Sequence, residues 1–412
     1  MEAMIERCCG IDVHKKTIVV CLAVGKPQEK PRTLVKTFST MTGDLLACRE
    51  WLISEGCTHV AMESTGVYWK PVFNILEDKM EVILANARAV KNVPGRKTDV
   101  KDCEWLAQLL RYGLIKGSFI PPKPIRELRD LTRYREKLTQ KRSSELNRLQ
   151  KFLEDANIKL SSVVSDINGV SAQEMIHHLI QEDLSKEQMA QLARGALRNK
   201  IEDLEKALEG YLSDHHRLIL RLSLQMVASY NDAIEKLDVD IDRRMEAFRE
   251  ESEMLQTIPG VKKKSAERII AEIGVDMSRF PSDAHLSSWA GASPGNNESA
   301  GKRRSGKVTP GNKWLKSTLV EAAWAASRTK KTYLSARYRR LASKRGKKRA
   351  ALAVGHSILV MAYHIVKEQS TYHELGAEYF DRLNEQRLVK RLASRISSLG
   401  YEVELKKMTV AA

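Results

Sequence analysis

The sequence predicts an α/β plus α protein: an amino-terminal domain built on a central sheet, a helical connector, and a mainly helical carboxy-terminal part. Three observations lead there. The first ~120 residues alternate strand-like and helix-like stretches separated by short polar or Gly/Pro turns. From Ile125 to Ile258 there is no proline, and only Gly169, Gly195 and Gly210 interrupt a Leu/Glu/Lys/Arg-rich composition that favours helix. Around Thr257 the character changes again, with a Pro-Gly turn between apolar segments in TIPGVKKKSAERIIAEIG.

Taken in order, Cys8 to Asp12, Thr17 to Val24 and Thr33 to Ser39 are rich in β-branched residues and read as a three-strand meander. Asp44 to Ser54 carries Leu45, Leu46, Cys48, Trp51 and Leu52 at helical spacing. His59 to Met62 reads as a buried strand ending at Glu63, and Val82 to Ala85 as a fifth strand. The order β-β-β-α-β-α-β is that of a ribonuclease H type of sheet, although order alone does not separate it from other α/β folds. Farther on, Ile201, Leu204, Leu208, Tyr211, His215, Leu218 and Leu222 fall at steps of three and four. They form a seam that suits either a bundle helix or a dimerising coiled coil. The Pro-Gly turn near Thr257 is like the hairpin of a helix-hairpin-helix element, which offers backbone N–H groups to a phosphate, or else an ordinary helix pair.

Composition narrows the function. Hydrophobic residues make up 42% of the 412 and charged residues 29%, which excludes disordered and collagen-like classes. Lys plus Arg outnumber Asp plus Glu by 69 to 52, a net charge of +17 that favours a polyanionic partner such as nucleic acid over an acidic membrane. Glu321 is the only acid between Glu298 and Glu368. From Arg328 to Arg349 the basic residues Arg328, Lys330, Lys331, Arg337, Arg339, Arg340, Lys344, Arg345, Lys347, Lys348 and Arg349 stand with no acid among them. A run this dense repels itself unless a polyanion neutralises it.

All six cysteines (Cys8, Cys9, Cys21, Cys48, Cys57, Cys103) lie in the first quarter, without C-x-x-C or His-x-x-x-His spacing. A zinc site is therefore not expected, and free cysteines suit a reducing cytoplasm. The apolar run in KKTIVVCLAVG is too short and starts too late for a signal peptide, and reads as a core strand. Ala350 to Val366 carries His356 and His364, falls short of about 20 clean apolar residues, and reads as a buried helix with no membrane role.

Four carboxylates stand out. Asp12 in GIDVHKK sits where the alternating pattern predicts a buried or half-buried position, and Glu63 ends the strand VAMES in the same way. An acid in such a place needs a partner. Asp99 and Asp102 are three apart in TDVKDCEWLAQLL, so on a helix both project from one face. Singly, each has a plain structural explanation as a turn cap, a lysine partner or an N-cap. Together at strand ends they would repel one another unless divalent cations neutralise them, and hard oxygen ligands select Mg2+ or Mn2+. Such ions serve phosphodiester cleavage.

With these residues in view, the sequence resembles the DEDD-type transposases of insertion-sequence family 110, bridge-RNA-guided serine recombinases. The resemblance covers most of the chain. It rests on GIDVHKK (Asp12), AMESTGVYW (Glu63) and RKTDVKDCEWLAQLL (Asp99, Asp102) in one block, and on IPGVKKKSAERIIAEIG and FPSDAHLSSWAGASPGNNESAGKRRSGKVTPGNKWLK in a second. It implies a RuvC-like ribonuclease H fold domain at 1–155, a helical or coiled-coil connector at 156–250, a serine-bearing transposase domain at 251–345 and a basic helical extension at 346–412. It further implies that Asp12, Glu63, Asp99 and Asp102 bind Mg2+ or Mn2+. Ser299, in NNESAGKRRSGK, takes the place of the family's catalytic serine, with Ser305 the fallback. Ala300 stands where a glycine often follows that serine. Lys302, Arg303, Arg304 and Lys307 could hold a phosphate and its transition-state charge. With Lys313 and Arg337, Arg339, Arg340, Lys344, Arg345, Lys347 and Lys348 they make up the expected nucleic-acid contacts.

The implied activity is transposition of an insertion sequence through a covalent phosphoserine intermediate. The implied partners are donor and target DNA, a structured bridge RNA that reads sequence while the protein reads backbone shape, and further copies of the chain as a dimer or tetramer. The implied location is the prokaryotic cytoplasm, at the nucleoid when active. Two other readings fit the residues: a metal-dependent junction nuclease in which water attacks and Ser299 grips phosphate, and a non-enzymatic nucleic-acid-binding protein whose acids form structural ion pairs.

Overall fold

A computed structural model of the chain describes residues 4–64, 66–85, 99–115, 117–294, 297–299, 302–305, 308–383 and 385–405. For 99–101, 297–299, 302–305 and 388 the description is of the backbone alone. The chain divides into two compact units, residues 1–120 and 121–412.

The first unit is a five-stranded sheet of order β3-β2-β1-β4-β5. Its strands are β1 (Arg7–Val13), β2 (Thr17–Val24), β3 (Arg32–Ser39), β4 (His59–Glu63) and β5 (Glu81–Ala85). The meander pairs antiparallel, whereas β1 with β4 and β4 with β5 are parallel. This is the strand arrangement expected from the sequence, and each strand is found within a residue or so of its expected bounds. Period-2 alternation sorts the side chains to two faces. Cys9, Ile11, Val13, Val60 and Met62 pack with Leu45, Cys48 and Leu52 of α1 (Thr42–Ser54) and Val72, Phe73 and Leu76 of α2 (Trp69–Leu76). Cys8, Cys21, Ala23 and Ala61 pack on the other face with Cys103, Ala107 and Leu110 of α3 (Asp99–Arg111). The six cysteines are buried thiols that form no disulfide. Arg111, 1% exposed, ends α3 by donating to the carbonyls of Gly25, Lys26 and Glu29, which ties the helix to the far end of β2.

The second unit opens with a long antiparallel helix pair, α4 (Lys123–Asp155) and α6 (Asp214–Met245). Arg244 on Glu127, Arg135 on Asp238, Arg142 on Asn231 and Ser223 on Glu145 fix the direction. Leu220, Val227, Ile234 and Ile241 of α6 are buried at seven-residue steps, so the coiled-coil packing of this region is internal to the chain. Between the pair lies a helical tip that includes α5 (Val170–Gln181), with its own core around Met175, Ile176 and Leu204.

The expected seam from Ile201 to Leu222 is not one helix. The helix Ile201–Ala207 stops, Tyr211 N–H donates to Ala156 O, and Ser213 caps a new start in a capping box with His216. Only its first part is buried: Leu204 and Leu208 are inside, but Tyr211, Leu218 and Leu222 are 87%, 54% and 49% exposed. The regular spacing ran across a break that the local caps decide.

The Pro-Gly turn does join two helices, α7 (Arg249–Gln256) and α8 (Lys263–Ile273). After α9 (Asp283–Ala290) comes a short hairpin, β6 (Asn297–Ser299) with β7 (Lys302–Ser305), and then α10 (Lys313–Arg328), α11 (Tyr333–Arg345) and α12 (Lys347–Glu368). The apolar helix α12 is long enough to cross a membrane, yet 61% of its most apolar window is buried against its neighbours, which makes it the central helix of this unit. A last amphipathic helix, α13 (Glu385–Ser397), follows.

Candidate active site

Asp12 is the last residue but one of β1, and Glu63 is the last residue of β4. The parallel register pairs Ile11 with Met62, and one further step sets Asp12 beside Glu63. Alternation turns both toward the α3 face, opposite the Ile11/Met62 core. Asp12 is 14% exposed at its side chain, and its Oδ2 lies 3.1 Å from His14 Nε2, an ion pair whenever that imidazole is protonated. His14 was not singled out from the sequence; its place two residues after Asp12 in DVH is the signal that could have found it.

Helix α3 starts at Asp99 and lies directly on this part of the sheet, because Gly10 has no Cβ to hold it off. Cys103 is buried against β1 and β2, and Cys21 gives its S–H to the Cys103 sulfur. That bond lowers the Cys103 pKa, against burial first and then the nearby carboxylates of Glu104 and Asp12, which act to raise it. Asp102, half-buried, is the neighbour of Cys103 in the first turn of the same helix. So Asp12, Glu63 and the start of α3 share one face of the sheet. Asp99 begins the helix, but its side chain lies outside the described residues. Among the described residues no three His, Cys, Asp or Glu side chains stand close enough to hold one ion.

The second expected centre is held on the β6–β7 hairpin. Ser299 ends β6 opposite Lys302, Glu298 lies opposite Arg303, and Ser305 pairs with Asn297. Sequence reasoning had placed Ser299 in a mainly helical domain and did not foresee the hairpin. Below it, Pro294 bridges Val308, and the chain then passes Gly311, whose missing side chain lets it run against Gly291 at the end of α9: a Cβ on Gly311 would stand 2.4 Å from Gly291 N. Lys302, Arg303 and Arg304 belong to β7, whereas Lys307 lies outside the described residues.

The basic run falls into two kinds. Arg337 donates to Tyr333 Oη, Arg339 to the carbonyl of Ser335, and Arg340 lies over the Phe380 ring, 5.4 Å from its centroid. Lys344, Arg345, Lys347 and Lys348 are exposed at the corner where α11 turns into α12 at Gly346. None of these four has a carboxylate partner among the described residues. The Pro-Gly hairpin lysines are less free than the sequence implied: Lys263 pairs with Asp242 and Lys264 with Asp238.

Sequence reading also missed a buried ionic network where α4 meets α8. Arg135 and Glu267, each 2% exposed, lie 2.7 Å apart. Glu272, equally buried, receives both arms of Arg133 at 2.7 and 2.8 Å and a bond from Asn312, the N-cap of α10. These charges look like a solvated helix surface in sequence, and only the docking of α8 on α4 buries them.

Two family models match the chain. Residues 9–158 match a transposase domain described as the DEDD transposase of IS110, and residues 252–339 match the transposase domain of the IS116/IS110/IS902 family. No curated protein matches the chain. The first match begins within β1 and spans the sheet, α3 and α4; the second begins in α7 and contains the serine hairpin, α10 and the first half of α11. The chain belongs to the IS110 family of transposases, enzymes that cut and rejoin DNA.

Proposed function

We propose that this transposase moves its insertion sequence by serine chemistry supported by a divalent metal ion and guided by a structured bridge RNA. The observation that supports the reading is that Asp12, Glu63 and the Asp102-bearing turn of α3 lie on one face of the sheet, at one end of the parallel strands. Their donors are hard carboxylate oxygens, which fit Mg2+ or Mn2+ and fit no soft ion. Asp12, Glu63, Asp99 and Asp102 would hold the metal, which supplies positive charge to a phosphodiester under attack. His14 orients the Asp12 carboxylate.

Ser299 is the nucleophile in this reading. Its Oγ forms the bond to phosphorus and gives up its proton, and the bond from phosphorus to the deoxyribose oxygen breaks, leaving a free hydroxyl on the DNA and a phosphoserine on the protein. Attack by another strand's hydroxyl reverses the step and rejoins the DNA. Lys302, Arg303, Arg304 and Lys307 hold the phosphate, and a dimer or tetramer brings the strands together.

The test is chemical trapping. Denaturant-quenched reactions, digested with nuclease, are expected to leave a nucleotide remnant on the peptide containing Ser299, and Ser299→Ala is expected to bind DNA but form no adduct. A remnant on Ser305 would move the nucleophile along the hairpin. Strand cleavage without any remnant would favour attack by water, as in a junction nuclease, with the serine reduced to one phosphate hydrogen bond of about 1–3 kcal/mol.

A further inference from the structure

Beside the first turn of α10, which follows directly on the neck of the serine hairpin, the second unit has a cavity of about 250 Å³ walled by α4, α8 and α10. Its flat surfaces are the Trp314 indole and the Arg133 guanidinium, 5.7 Å from the ring centroid, with the Lys313 ammonium 5.3 Å from the same ring at the exposed rim. Indole faces and guanidinium planes are the surfaces on which unstacked nucleobases settle.

The charges inside decide what can enter. Arg133 is spent on Glu272, and Arg268 on Glu136, so both interior cations are already neutralised by carboxylates. A phosphate placed there would meet two acids; an uncharged, planar, polar group would not. Hydrogen-bonding capacity for such a group remains. Ser317 lines the cavity from an exposed position, and its Oγ makes, among the described residues, one long contact of 3.5 Å to Glu321. Lys313 has no carboxylate partner among the described residues and stands exposed at the cavity rim beside Trp314.

We propose that this cavity receives a single nucleobase, unstacked from a DNA or RNA strand, with the strand's phosphate against Lys313. The proposal rests on the nucleic-acid reading above but not on the serine chemistry. Its cost is the unstacking of one base, which stacking on Trp314 offsets.

The test uses the full-length protein with single-stranded DNA and RNA oligonucleotides carrying 5-iodouracil. Irradiation is expected to join the base to Trp314, located by peptide mass spectrometry. Ser317→Phe fills the mouth from an exposed position and is expected to lower that adduct about tenfold, the worth of one stacked base. Trp314→Phe is expected to keep the binding that Trp314→Ala loses. An adduct with only one of the two oligonucleotides supports the pocket and identifies the strand it serves. Adducts elsewhere with none at Trp314, or an equal yield in Ser317→Phe, overturn the pocket alone. No adduct anywhere with either strand overturns the pocket together with the nucleic-acid reading beneath it.

Discussion

A Cβ added to Gly10 would stand 2.1 Å from the carbonyl oxygen of Cys103 and 2.5 Å from the Ala107 nitrogen. The strand that carries Asp12 and the helix that carries Asp102 are therefore in backbone contact, closer than a residue with a Cβ would allow. Gly10→Ala is expected to push α3 off the sheet and separate the two acids. Overpacking of this kind costs about 1–3 kcal/mol, so a folded protein with a lowered melting temperature and no recombination is the expected result. Wild-type recombination in Gly10→Ala would show that the approach of α3 to β1 is not needed for the chemistry.

Asp12→Asn, Glu63→Gln and Asp102→Asn should each abolish recombination while leaving RNA binding largely intact, since they remove oxygen charge and leave the basic run from Arg328 to Arg349 unchanged. Asp99→Asn should behave similarly but less severely. Recombination assays run beside RNA gel shifts read both. Near-normal recombination in both the Asp12 and the Glu63 variant would remove the metal-site reading.

The inner strands β1, β2 and β4 were legible because they are buried on both faces, and the exposed to half-buried β3 only by its apolar and β-branched residues. Cys8 to Val13 and Thr17 to Val24 carry the β-branched and small apolar residues that a two-sided core requires, and their order leaves few topologies. The acids Asp12 and Glu63 were legible for the same reason, as charged residues in otherwise apolar strands. The serine hairpin was not, since Asn297–Ser299 and Lys302–Ser305 are polar and basic throughout and alternate in nothing. Nor was the break before Asp214, where three-and-four spacing continues through a cap that ends one helix and starts another. Periodicity reports which residues could share a face, not whether the backbone between them is continuous.

Glu267→Gln is expected to destabilise the second unit by about 3–5 kcal/mol, because it leaves the Arg135 guanidinium buried with only Asp238 to answer it. Denaturant midpoints measure this. The double variant Arg135→Met with Glu267→Met should recover much of the loss, since neither charge then has to be desolvated. Equal stability of Glu267→Gln and wild type would mean that the pair is not dry.

The exposed corner between α11 and α12 should set the salt dependence of DNA binding. Lys344, Arg345, Lys347 and Lys348 are exposed and have no carboxylate partner among the described residues, so a phosphate that meets one of them displaces a counterion and breaks no internal bond. Replacing one with Gln is expected to lower the log–log salt slope on duplex DNA by roughly 0.9, and replacing all four by about four times that. Arg337 is the internal control. It is only half-buried, but its guanidinium is held by Tyr333 Oη at 2.9 Å, so Arg337→Gln should lower stability and move the slope little. Binding titrations at several salt concentrations separate the two kinds of arginine and lysine. A slope unchanged in the four-residue variant would make that corner a solvated surface, and a slope that falls equally in Arg337→Gln would mean that the Tyr333 bond opens to the DNA.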